Sequence, residues 1–399
     1  MSPVNKGETS WIETPIQAEW PVGDDDERNP FVKWRRMLHS WHRAIETGWA
    51  DNEFVSLVRE IDEAIMDLSG TGFRVTPTGI WEEPSPKLPT SVLWKDETIN
   101  VGGSHKARHL MGILLHLAVD AVSSERRLAI ASCGNAALGA TTVARAVGRP
   151  IDVFIPTWAN PAIVNELDAL GASIHVCERS DSQSGDPCMV QFQEAILKGA
   201  LPFGVQATEN PLTLDGGRTI GWELSSAIKE HHISDLVIQV GGGALLTSCT
   251  IGLMEAKEFM YLEQLPRIWA VQAEGCAPFH KAWEALPHGS SPMEIISFAI
   301  ENAEILMRPW EDPRSLATGI LDDVTYDWLG VTRALLETGG GSVVATERNI
   351  VLASELVPSL GISTEPTGAA SIAGVVELLE QGKIQVDTKV AALLTGRSR

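Results

Sequence analysis

From about residue 90 onward, short β-rich runs alternate with stretches of helical periodicity, and this alternation leaves few architectures open. The runs are LAIA (128–131), DVFIP (152–156), SIHV (173–176), DLVIQV (235–240), RIWAVQ (267–272), SVVAT (342–346) and KVAALL (389–394). Between them the spacing predicts helices over 135–147, 161–170, 187–199, 217–231, 244–260, 323–338, 347–359 and 367–380. Strand–helix–strand alternation needs crossover connections, which build parallel sheets with helices on both faces. No repeat and no long Pro/Gly/Ser linker divides the sequence. The expectation is an α/β chain of two lobes in one continuous body, each an open, mostly parallel sheet with flanking helices.

An N-terminal helical extension precedes this pattern. Residues 1–28 are polar and close on Asp24-Asp25-Asp26-Glu27, which reads as a solvated arm. Asn29 as N-cap and Pro30 at the first helical position open a helix. Phe31, Trp34, Leu38, Trp41 and Ile45 give it one apolar stripe. Asp51 caps a second helix with Phe54, Val58, Ile61 and Ile65 on one face, stopped by Gly70 and Gly72. The pair needs an apolar partner, either the main body or an oligomer contact. The expected division is 1–74 for the arm and helical pair, 97–200 for a small domain, and 75–96 with 201–399 for a large one.

With 44% hydrophobic and 21% charged residues, the 399-residue chain can bury a large core, which excludes wholesale disorder. A net charge of -21 lacks the basic footprint of a nucleic-acid binder. No apolar run approaches membrane-spanning length, and the N-terminus has no signal-peptide pattern, so no membrane partner is expected. Five cysteines without a CxxC pair fit a reducing cytoplasm better than a disulfide framework. No metal ligand set is assigned.

Three stretches can carry chemistry. Gly241-Gly242-Gly243-Ala244-Leu245 follows the run LVIQV and opens a helix. Backbone N–H groups at a helix start make an anion site, most naturally for phosphate, although a tight strand-to-helix turn needs the same glycines. It is neither a Walker A loop nor GxGxxG. Gly102-Gly103-Ser104-His105-Lys106-Ala107-Arg108 sets a lysine at the start of an apolar helix. A positive helix end lowers a lysine's pKa, as an amine nucleophile requires; the alternative is a solvent-facing lysine in a turn. Ser132-Cys133-Gly134-Asn135 follows the run LAIA and opens another helix, whose amides suit a carboxylate. Cys133 has no partnered His or Asp in view and reads as an inert buried thiol.

Together these stretches resemble the fold type II pyridoxal-phosphate enzymes, the tryptophan synthase β-like superfamily, and within it the threonine synthase and threonine/serine dehydratase group. SHKAR resembles the Schiff-base lysine motif, SCGNA the substrate-carboxylate loop and VGGGALL the phosphate loop. ENPLTLDGGRTIGWEL, AVQAEGCAPFHKAWE, SLATGI, STEPTGAASIAG and the final LLTG follow in order. The resemblance covers residues 75–396. It implies pyridoxal 5'-phosphate as cofactor, with Lys106 as the imine-forming lysine and α-proton base, and Asn135 on the ring hydroxyl oxygen. Gly241, Gly242, Gly243, Ala244 and Leu245 would bind the phosphate and Thr395 the ring nitrogen. Ser132, Cys133 and Gly134 would bind the substrate carboxylate, and Thr318 would line the substrate side. Departures are equally specific: His105 precedes Lys106 where threonine synthases carry Phe. Ala136-Ala137 lack the hydroxyls that would hold a phosphorylated substrate, which argues against phosphohomoserine.

The implied activity is a lyase acting on a small amino acid by α-proton removal and β-elimination. It would end in deamination to a 2-oxo acid, or in β-replacement through an aminoacrylate. The alternatives are threonine-synthase-like γ-elimination with β-replacement, and a catalytically silent cofactor-binding subunit. A cytoplasmic homodimer is the expected setting.

Overall fold

Runs of β-branched and apolar residues form the strands here, and polar helix-capping residues punctuate them. A computed structural model describes residues 11–21, 26–178 and 186–398. Asp24 and Asp25 of the acidic run lie outside the described residues, as do residues 1–10 of the arm. Among the described residues there are ten strands. They are β1 (Thr78–Trp81), β2 (Val92–Asp96), β3 (Leu128–Ala131), β4 (Ile151–Pro156), β5 (Ser173–Cys177), β6 (Leu201–Pro202), β7 (Asp235–Gln239), β8 (Arg267–Ala273), β9 (Gly341–Ala345) and β10 (Val390–Leu394). They build two sheets, and the chain divides into two compact units around them.

The smaller unit takes residues 14–75 and 100–205. Its sheet runs β5-β4-β3-β6, parallel throughout. Its helices are α1 (Pro30–Lys33), α2 (His39–Glu46), α3 (Asp51–Ser69), α4 (Lys106–Val119), α5 (Asn135–Ala146), α6 (Pro161–Ala169) and α7 (Pro187–Leu197). The N-terminal helices find their apolar partner inside this unit: α2 packs on α4, and α3 packs on α5. Phe54, Val58, Ile61 and Ile65 of α3 are buried, and Gly70 ends the helix at φ 70°. Asp51 is the first helical residue rather than the cap. Ala50 precedes it, and Glu53 accepts the Ala50 N–H at 2.6 Å.

The stripe from Phe31 to Ile45 is not one helix. It breaks into α1, a 3-10 turn at Arg35–Met37, and α2, with Leu38 extended at φ -82°, ψ 133°. Met37 and Leu38, on either side of the end of that turn, are both fully buried. Ile45 is left 38% exposed.

The larger unit takes residues 76–99 and 206–398, with the described residues 11–13. Its sheet order is β1-β2-β10-β7-β8-β9, parallel except for the edge strand β1. Its helices are α8 (Thr213–His231), α9 (Ala244–Glu258), α10 (Pro278–Glu284), α11 (Pro292–Glu301), α12 (Ala303–Leu306), α13 (Trp328–Thr338), α14 (Glu347–Ser359) and α15 (Pro366–Glu380). α8 starts at Thr213, ahead of the Gly216-Gly217 pair, because burial along nearly its whole length offsets the weak helix propensity of glycine. α13 starts at Trp328 instead of 323, since residues 321–327 are taken up in a loop.

Several buried charges in this unit are paired. Arg218 of α8 donates to Asp215 on its own helix and to Glu255 of α9. Lys95 of β2 donates to Glu223 at 2.6 Å, to Thr76 Oγ1 at 2.6 Å and to Thr76 O at 2.9 Å. Tryptophans, 13 against two tyrosines, supply further donors to carboxylates. The indoles of Trp222 and Trp269 donate to Glu255 at 2.7 Å and Asp235 at 2.8 Å.

Candidate functional site

In the smaller unit the lysine stretch and the asparagine loop lie against one another. Asn100 caps the turn before Lys106, its side chain accepting from Val101 N at 2.8 Å. Gly102 and Gly103 then adopt φ 65° and 70°, a conformation other residues enter only at a cost. A Cβ on Gly102 would stand 3.4 Å from Gly139 Cα of α5. A Cβ on Gly139 would stand 3.4 Å from Ala107 N. Glycine on both sides therefore lets the first turn of α4, headed by half-buried Lys106, rest directly on α5. Ser104 Oγ accepts from Lys106 N at 3.4 Å.

α5 is buried from Ala136 to Ala144, yet residues 131–135 before and at its start are only half-buried. Ser132, Cys133, Gly134 and Asn135 thus form the accessible rim of a helix N-terminus. Its first amides have no side-chain cap. That is where an anionic carboxylate gains both hydrogen bonds and the helix dipole.

In the larger unit, Gly241, Gly242 and Gly243 join β7 to α9, which begins at Ala244 and Leu245. Gly243 holds φ 104° and offers α9 no side-chain cap. The loop is backed by a segment that sequence reasoning passed over. Asp327 N donates to Gly242 O at 2.7 Å, and the Asp327 carboxylate accepts from Ala207 N at 3.1 Å and Thr208 N at 3.2 Å. A Cβ on Gly241 would meet Asp322 Oδ2 at 2.4 Å, and one on Gly243 would meet Val331 Cγ2 at 2.9 Å. Side chains at these two positions would collide with that backing segment, so the loop can rest against it only as bare backbone.

Thr318 opens a short 3-10 turn, Thr318–Ile320, whose Gly319 N donates to Thr367 Oγ1 at 2.9 Å. Thr395 follows β10, is 2% exposed, and its N donates to Gly368 O at 3.3 Å. Between β10 and α15 stands Gln239, the last residue of β7. Its Nε2 donates to Thr395 Oγ1 at 2.6 Å, Thr367 O at 3.0 Å and Gly368 O at 3.3 Å. The structure so gathers the glycine loop, the Thr318 turn and Thr395 within the larger unit. It gathers Lys106 with the 132–135 loop within the smaller one. The polar residue in LVIQV was the available signal for Gln239; nothing in the sequence marked Asp322 or Asp327.

Cys133, expected to be buried, is instead half-buried, while the other four cysteines are buried. No disulfide joins the five cysteines, and burial pushes the Cys249 and Cys276 thiols up to about 12. Such thiols hold their protons and are poor nucleophiles. Among the described residues no His/Cys/Asp/Glu group is arranged to hold a metal ion, and no helix is long and apolar enough to cross a membrane.

Comparison with known proteins supplies the family. A threonine synthase of Methanosarcina acetivorans is 27% identical over 306 residues, covering 76% of this chain and 69% of that protein. One of Mycobacterium bovis is 24% identical over 338 residues, covering 80% and 83%. The processed form of threonine deaminase isoform 2 from Solanum lycopersicum shares the fold with a TM-score of 0.64 at 19% identity, covering 88% of this chain and 92% of that one. Residues 71–396 match the family described as pyridoxal-phosphate dependent enzyme, so the chain belongs to that family and pyridoxal 5'-phosphate is its cofactor.

Proposed function

We propose that this enzyme, a pyridoxal-phosphate-dependent lyase, removes the α-proton of a small amino acid and expels its β-substituent. The product is a 2-oxo acid with ammonia, or a β-replaced amino acid. The observation that carries the choice is Thr395, a hydroxyl whose oxygen accepts from Gln239 at 2.6 Å. A carboxylate there would hold a pyridine nitrogen protonated; a hydroxyl does not.

When bound, the cofactor acts as the electron sink for the α-carbon. The chain's own residues do the rest. Lys106 Nζ, at the head of α4, would hold the cofactor, and its amine would be the base that takes the α-proton. Amides of the 132–135 loop bind the substrate carboxylate, and Asn135 addresses the ring hydroxyl oxygen. Amides of residues 241–245 bind the phosphate through the start of α9. Thr318 lines the substrate side. Ala136 and Ala137, both buried, leave the first turn of α5 without hydroxyls for a phosphorylated substrate.

A second reading, γ-elimination with β-replacement by water, is favoured by the curated relatives, which are named threonine synthases. A panel of small amino acids, with product mass spectrometry, separates the two. Serine or threonine giving 2-oxo acid and ammonia, lost in Lys106→Ala, supports elimination. Turnover of O-phosphohomoserine alone supports the second reading, and accumulation of the aminated cofactor would sink both. A cytoplasmic homodimer completes the proposal. Five cysteines without a disulfide among them support the reducing compartment, and sedimentation of the purified protein tests the dimer.

A further inference from the structure

Trp11 and Ile12 precede both sheets in sequence, yet they pack in the larger unit against Ala207, Leu214, Ala244 and Ile251. All four of these residues are buried. Two of them belong to the surroundings of the glycine loop. Ala244 is the first residue of α9, directly after Gly243. Ala207 N donates to the Asp327 carboxylate at 3.1 Å, and Asp327 N donates in turn to Gly242 O at 2.7 Å. The same short segment also holds α13. The Arg333 guanidinium stands over the Trp11 ring, 4.2 Å from its centroid, and Arg333 Nη1 lies 3.4 Å from Glu13 Oε1. Glu13 is 79% exposed, so the ion pair contributes little; the ring contact and the apolar packing carry the attachment. α13 is the helix whose Val331 Cγ2 would meet a Cβ on Gly243 at 2.9 Å. Residues 11–13 therefore bear both on the helix that the loop opens and on the helix that backs it.

We propose that Trp11 is a positioning residue for the cofactor phosphate. With Ile12 it braces α9 and α13, so that the amides of residues 241–245 are aimed before the phosphate arrives. The inference rests on the reading of that loop as the phosphate site. It adds that a residue far upstream in sequence sets how tightly the loop binds. A loop that must be ordered on binding gives up part of its binding free energy to that ordering, and a loop already held in its bound form does not. The effect is confined to ligands that use the loop, so a ligand without the phosphate should not feel it.

The test uses the full chain as wild type and as the Trp11→Ala, Trp11→Phe, Arg333→Met and Gly242→Asp variants. It measures the dissociation constants of pyridoxal 5'-phosphate and of pyridoxal, which lacks the phosphate, and the 31P chemical shift of the bound cofactor. Trp11→Ala is expected to weaken pyridoxal 5'-phosphate binding at least about fivefold and to move the 31P resonance, while the pyridoxal constant changes less than about twofold. Arg333→Met, at a side chain 30% exposed, removes the cation alone. It should weaken binding of the phosphorylated cofactor about two- to fivefold, the worth of one partly exposed cation–π contact. It also serves if Trp11→Ala does not fold. Trp11→Phe, which keeps a ring beneath the guanidinium, should restore most of the affinity. Equal losses for both ligands in Trp11→Ala and Arg333→Met would mean a general loss of structure and overturn the inference. So would wild-type affinity in both variants while Gly242→Asp loses the cofactor, a result that leaves the phosphate reading intact. Gly242→Asp binding pyridoxal 5'-phosphate as tightly as wild type would overturn both.

Discussion

Gly242 and Gly243 are adjacent, and their demands differ. Gly243 sits at φ 104°, where an added Cβ would also press on Val331 and Asp327. Gly242 has a negative or extended φ, and its Cβ would find nothing nearer than 3.6 Å. Gly243→Ala is therefore expected to cost about 1–3 kcal/mol of stability, the range for a residue forced into a sparsely populated backbone region. Gly242→Asp should leave the unfolding midpoint nearly unchanged while weakening pyridoxal 5'-phosphate binding by at least about tenfold, since it sets a carboxylate where the phosphate binds. Urea unfolding and a fluorescence titration read the two effects. A Gly242→Asp variant with wild-type affinity would place the phosphate elsewhere. The sequence made the glycine triplet legible because a strand-to-helix junction with three bare residues has few uses. It did not show which glycine is structural, because φ is set by Asp327 and Val331, far along the chain.

At the scale of elements, β3, β4 and β5 are tied across their faces by charge as well as by backbone. Arg127, just before β3, donates to Asp152 of β4 from Nε and Nη2, both at 2.6 Å, and His175 of β5 lies 2.8 Å from the same carboxylate. Burial opposes ionisation of Asp152, but the Arg127 and His175 hydrogen bonds together outweigh it and hold the carboxyl below its ordinary value of 3.8. A lowered carboxyl stabilises the fold fully above that ordinary value, and the contribution drains away as pH falls through the folded-state value. Arg127 is nearly half exposed, so solvent screening keeps the bond's worth to about 1 kcal/mol or less. Arg127→Met should thus lower stability slightly at pH 7, with the gap to wild type closing as pH falls below the ordinary carboxyl range. A gap that widens in acid would contradict the assignment. Most strands and helices beyond residue 128 were legible from periodicity, because each buried strand or amphipathic helix repeats its own pattern. The short β1 and β6 were not. Nor was β2, where Lys95 interrupts an apolar run and its 2.6 Å partner, Glu223, comes 128 positions later.

For the whole molecule, alternation in sequence was enough to specify two open sheets, and the strand order within them was not. No local pattern says that β10, the last strand in sequence, lies between β2 and β7 in the middle of the larger sheet. Its register binds Val390–Leu394 to Val92–Asp96 on one side, and Val390–Ala392 to Asp235–Val237 on the other. Thr395 emerges from that central position beside Gln239, so the candidate site depends on the latest strand to be placed.

That order has a consequence for synthesis. During translation the smaller sheet, β3 to β6, is complete once residue 205 has cleared the ribosome. The larger sheet stays split, with β1 and β2 on one side of a gap and β7 to β9 on the other, until residues 390–394 emerge. Domains fold as units on leaving the ribosome, at about 5–20 residues per second. For the last third of elongation, exposed β2 and β7 edges are open to chaperones and to wrong partners. Nascent chains stalled with residue 385 outside the tunnel should show protease protection over 128–202 and cleavage within 235–345. Chains stalled with residue 398 outside should be protected in both. Early protection of 235–345 would mean that the sheet forms without its central strand.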